Sequence, residues 1–111
     1  MSAVNGVVHI VHVGDGRIVL PRATYELYMP GAGSAALLAR EEGVLLLPLN
    51  GPVAGGLLLK QRNLAGDRVM LAEEFLAARG LGRFTAERRF NVRWLTDAGA
   101  LLIEGLEAAR T

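Results

Sequence analysis

Apolar and polar positions along this chain change period several times, and each change marks an element. Val7 to Val13 is β-branched apart from His9 and His12, Gly14-Asp15-Gly16 supplies a turn, and Arg17 to Leu20 runs back. This spacing predicts two strands around a tight loop. Pro21 suits the first turn of a helix, and Arg22 to Tyr28 allows a short one before Met29-Pro30-Gly31 ends it. Ala35 to Arg40 and Val44 to Leu49 flank Glu41-Glu42-Gly43, a polar junction where Gly43 would take a positive φ, so a second hairpin is expected. Asn50 to Gly56, glycine-rich and interrupted by Pro52, is the linker candidate.

The same order then recurs. Leu57 to Arg62 reads as a strand, Asn63 to Asp67 as a turn, Arg68 to Leu71 as a strand, and Ala72 to Arg79 as a helix closed by Gly80. Phe84 to Leu95 alternates, with Phe84, Ala86, Phe90, Val92 and Trp94 on one face and Thr85, Glu87, Arg89, Asn91 and Arg93 on the other. Arg88 interrupts the apolar face, and Asp97-Ala98-Gly99 turns the chain into Ala100 to Ile103. Laid over each other, the halves match Arg17-Ile18-Val19-Leu20 with Arg68-Val69-Met70-Leu71, and Glu42-Gly43-Val44-Leu45-Leu46-Leu47 with Ala98-Gly99-Ala100-Leu101-Leu102-Ile103. Repeat one (about 7–49) and repeat two (about 57–105), joined by the linker 50–56, are each too small to bury both faces of their hairpins alone. The expectation is a single pseudo-dimeric domain over 1–111, mostly β with short helices, built from two tandem ββαββ repeats.

Composition narrows the chemistry. The 111 residues contain no cysteine, which excludes disulfides and thiolate metal sites. The longest uncharged stretch, between Glu42 and Lys60, is broken by Pro48 and Pro52 and is shorter than a spanning helix needs, so no membrane partner is expected. No basic segment precedes an apolar one at the N-terminus, which points to a cytoplasmic protein. His9 and His12 fall on opposite faces of a strand, and no third metal ligand lies near them in the sequence. Ser2 and Ser34 lack an activating histidine, and Glu41-Glu42 and Glu73-Glu74 diverge as neighbours rather than forming an acid/base pair. Neither an enzymatic activity nor a cofactor is expected.

Charge is balanced overall, at 12 basic against 11 acidic side chains, but it is uneven along the chain. Arg79, Arg83, Arg88, Arg89 and Arg93 gather around Glu87 alone. On a strand, Arg89 and Arg93 point the same way about 13 Å apart with Asn91 between them. Such a basic ribbon face suits phosphate oxygens and guanine edges. Arg17 and Arg68 occupy matching places in the two repeats and could form a symmetric pair on a twofold nucleic-acid site.

The string Gly14-Asp15-Gly16-Arg17-Ile18-Val19-Leu20-Pro21, followed by a short helix and a hairpin ending Gly43-Val44-Leu45-Leu46-Leu47-Pro48-Leu49, resembles the swapped-hairpin superfamily of AbrB, MazE and MraZ proteins. MraZ carries two copies in one chain, as this sequence would. The resemblance implies a swapped-hairpin AbrB-like β-barrel. It also implies a DNA-binding transcriptional regulator that contacts double-stranded DNA through arginines on its loops and hairpins. It adds Arg22, at the helix start where family members place basic residues, to Arg17, Arg68, Arg89 and Arg93. The chain departs from the family pattern at Val13 and Leu64, four residues ahead of Arg17 and Arg68, where an Asp is usual, and at Asp15, where a basic residue is common. The near-zero net charge, Asp15 and Asp67 in the expected DNA loops, and the large aliphatic share favour the alternative, a non-enzymatic interaction or scaffold module that keeps the barrel, without DNA binding, to meet a protein partner or further copies of itself as a homo-oligomer.

Overall fold

The computed structural model describes residues 9–49, 56–81 and 86–106; residues 7–8 at the start of repeat one, 50–55 of the predicted linker 50–56, Arg83, and the start of the Phe84 strand lie outside them. The described chain forms strands β1 (Ile10–Gly14) and β2 (Arg17–Leu20), helix α1 (Arg22–Tyr28), strands β3 (Ser34–Arg40), β4 (Gly43–Leu49), β5 (Leu57–Leu58), β6 (Lys60–Gln61) and β7 (Arg68–Leu71), helix α2 (Glu73–Ala78), and strands β8 (Arg88–Leu95) and β9 (Ala100–Glu104).

Every predicted hairpin forms among the described residues, and local chemistry explains two of the turns. At the β1–β2 turn Asp15 (φ 52°) and Gly16 (φ 72°) are both left-handed, the primed turn whose twist matches the flanking strands. Gly43 opens β4 at φ 154°, and a Cβ there would run into the carbonyl oxygen of Ile103 on β9. The backbones of β4 and β9 can approach only because that position is glycine.

All strand pairs are antiparallel, in the order β5-β3-β4-β9-β8-β1-β2-β7-β6. The two ends of this order, β5 and β6, are consecutive pieces of one extended segment. Leu57 and Leu58 pair with β3, Leu59 extends that register by donating its N–H to the Gly33 carbonyl at 2.9 Å, and Lys60 and Gln61 then pair with β7. The sheet therefore returns on itself as a nearly closed barrel. The hairpin β1–β2 is flanked by β8 and β7, and the hairpin β3–β4 by β9 and β5, so every neighbour of a first-half hairpin comes from the second half.

Val11, Val13, Ile18, Leu20, Val44, Leu46, Met70, Leu101 and Ile103 fill the interior, joined by Tyr25 and Met29 from the α1 end and Leu76 and Leu81 from the α2 end. Tyr25 and Thr24 tie α1 in place, the first donating its hydroxyl to the Ala32 carbonyl and the second to that of Ile10, both at 2.7 Å. A smaller cluster of Leu45, Ala100 and Leu102 lies on the other face of β4 and β9. That explains why β4 is apolar along both faces. Among the described residues no helix is long and apolar enough to cross a membrane.

Candidate nucleic-acid interface

The interface begins with β8, where alternation sorts the side chains. Val92 is buried and Phe90 and Trp94 are half-buried on the inner face, while Arg89, Asn91 and Arg93 stand exposed on the outer one. Arg93 is partly engaged: its Nε donates to Glu104 Oε2 on β9 at 2.8 Å. An exposed ion pair of this kind is worth only a few tenths of a kcal/mol to about 1 kcal/mol, but it halves the charge offered outward. Arg89 lies opposite His12 on β1, His12 opposite Val19 on β2, Val19 opposite Val69 on β7, and Val69 opposite Lys60 on β6. The sheet thus sets Arg89, His12 and Lys60, from three separate stretches of sequence, in one cross-strand row, with buried Val19 interrupting its charge.

The other three arginines are placed differently. Arg17 is exposed at the start of β2, on the outer face that also carries Arg89. Two strand spacings and two residues separate them, about 12 Å. Arg68 lies on the opposite face: it pairs with Leu20, holds its guanidinium 4.6 Å from the centre of the Tyr25 ring, and buries its Nε without a hydrogen-bond partner. The expected symmetric pair of Arg17 and Arg68 is therefore not formed. The β2–β7 register sets Ile18 against Met70 and Arg17 against Leu71, so Met70, rather than Val69 or Leu71, takes the inward place corresponding to Ile18. Arg22 is exposed at the start of α1, with its Nε 3.1 Å from Glu26 Oε2 one turn on.

Arg22 also shows how the two halves meet. Its backbone N–H, one of the unsatisfied donors of the helix start, is accepted by Asp67 Oδ1 at 2.9 Å, and Asn63 Nδ2 donates to Asp67 Oδ2 at 3.0 Å. The hydrogen bonds from Asn63 and from the Arg22 backbone hold the Asp67 carboxyl below the usual carboxylate range. Asp67 thus has a structural task, capping α1 from the β6–β7 turn.

Sequence reasoning placed Arg89 and Arg93 together correctly, and it missed three things. The Arg93–Glu104 pair spans two strands whose register depends on the length of the 96–99 turn. His12 and Lys60 join the row only through the barrel. Arg62, on a separate stretch of the chain, lies 3.3 Å from Glu87. His9, read as the other strand histidine, sits edge-on to Tyr28 with ring centres 5.5 Å apart.

Compared with protein-family models, curated proteins and solved structures, the chain matches none.

Proposed function

We propose that this chain is a DNA-binding transcriptional regulator of the AbrB/MraZ swapped-hairpin type, acting in the cytoplasm without a cofactor or an enzymatic activity. The observation that carries the DNA reading is the outer face of β8, where Arg89, Asn91 and Arg93 project together while Arg17 projects from the same side of the neighbouring hairpin. Arginine forks and an amide at strand spacing suit phosphates and base edges. The family reading is supported by the interleaved strand order, and by register. The ladders β2–β7 and β4–β9 each join corresponding strands of the two halves, and β1–β8 corresponds to β3–β5. Two tandem ββαββ repeats with swapped hairpins would give this pattern.

A second reading, a barrel that meets protein rather than DNA, is favoured by the ion pairs that engage Arg22, Arg62 and Arg93.

Retardation of a duplex, titrated with salt, separates the two. DNA binding should be electrostatic, with log affinity falling linearly against log salt. Arg89→Ala should flatten that slope by about one unit, as loss of one phosphate contact does. Glu104→Gln, which frees Arg93, should tighten binding. Absence of retardation of every duplex at low salt would overturn the DNA reading.

A further inference from the structure

A surface depression of about 310 Å³ is lined by Arg40, Trp94, Leu95, Thr96, Asp97 and Ala98. Its apolar wall is anchored twice, because Trp94 packs inward on the main core while Leu95 and Ala98 pack on the smaller cluster of β4 and β9. The indole lies parallel to the Tyr28 ring at the end of α1, with planes 8° and ring centres 6.1 Å apart. The Leu95 carbonyl accepts the N–H groups of Ala98 and Gly99 at 3.2 and 2.9 Å, which closes the turn between β8 and β9. A wall fixed before anything binds spends little ordering entropy on binding.

Two opposite charges share the rim. Arg40, the last residue of β3, and Asp97 are both exposed, and among the described residues neither side chain forms an ion pair or hydrogen bond, with the other or with any third group. Glu41 and Glu42, which follow Arg40 in the next turn, form no ion pair with it. Arg93, next to Trp94, stands on the opposite face of β8 and pairs with Glu104. The depression therefore offers a guanidinium fork, a carboxylate and an apolar wall, in a volume that a small metabolite fills. The fork matches a carboxylate with two hydrogen bonds, Asp97 suits an ammonium, and the indole face attracts hydrocarbon and cation alike. A simple anion would meet Asp97 as a like charge, and a simple cation would meet Arg40. A short apolar body carrying both charges satisfies all three groups, and that is the chemistry of a free α-amino acid with a hydrocarbon-rich side chain.

We propose that this depression binds a free apolar α-amino acid, its carboxylate on Arg40, its ammonium on Asp97 and its side chain against Trp94 and Leu95. This requires neither DNA binding nor the swapped-hairpin family. Trp94 is the only tryptophan in the chain, so its emission reports on this wall alone. The full chain is titrated with leucine, methionine and phenylalanine at millimolar concentrations, read in parallel by tryptophan emission and by equilibrium dialysis. Saturable binding of at least one of the three, with a matching change in emission, is expected. The N-acetyl and amide forms of that ligand each lack one charge and should bind at least about tenfold more weakly. Arg40→Gln should no longer distinguish the amino acid from its amide, and Asp97→Asn should no longer distinguish it from its N-acetyl form. Both substitutions are at exposed positions, and unchanged circular dichroism verifies that each variant is folded. Dialysis that shows no binding of any of the three overturns the proposal. So does binding that leaves Trp94 emission unchanged, or variants that keep the native affinity and discrimination.

Discussion

Arg68 carries its charge into a place built for hydrocarbon. Its strand position faces Leu20 and Tyr25, and the ring face stabilises the guanidinium by about 0.5–1 kcal/mol. Against that stands a buried Nε donor with no acceptor, which costs about 1–3 kcal/mol. The balance favours an apolar side chain of similar length. Arg68→Met should therefore raise stability by about 1 kcal/mol, read as the urea midpoint, and leave any duplex affinity unchanged. A loss of affinity without a loss of stability would return Arg68 to the interface. The same residue shows what a single sequence hides. Val69, Met70 and Leu71 are all apolar, so period two offers no preference between the faces of β7, and one residue of register decides whether Arg68 points outward or inward.

At the scale of elements, α1 has no local side-chain cap, and its first N–H depends on a carboxylate from the turn between β6 and β7. Asp67→Ala should cost about 1 kcal/mol, comparable with losing an N-cap side chain. The sign of its pH dependence follows from linkage. A carboxyl held below its ordinary range stabilises the fold above the ordinary carboxylate pKa of about 4, and this contribution disappears as pH falls through the depressed native value. The stability gap between native and Asp67→Ala chains, measured by denaturant at stepped pH, should therefore close on acidification; a gap that widens would refute the assignment. The helices and hairpins themselves were legible. Pro21 ahead of Arg22–Tyr28, Gly80 after α2, and Gly43 between two apolar runs each restrict the backbone locally, and the elements end where those residues stand. The apolar run in 57–62 predicts one strand, and nothing local in Leu57-Leu58-Leu59-Lys60 marks the passage from β3 to β7 between Leu59 and Lys60.

For the whole molecule, barrel closure determines which charges share a surface. Arg89 and Lys60 are far apart in sequence and stand in one row only because β1, β2 and β7 lie between their strands. No spacing rule could have found that row. The strand order also predicts how the chain behaves when cut. A protein split between Gly51 and Pro52 should yield fragments that are unfolded separately, since each hairpin loses its flanking strands, yet regain the strand signature in circular dichroism when mixed. A first-half fragment that folds alone would contradict the mutual completion of the cores.

Interleaving also sets the order in which the molecule can come into being. Ile10 finds its ladder partner at Asn91, in the second half of the chain, so the central β1–β8 pairing cannot form until a loop of most of the sequence has closed. Loop-closure entropy is spent before that contact returns anything, and folding slows accordingly. During synthesis, the hairpins of the first half would wait with their apolar edges unpaired until β8 and β9 are made.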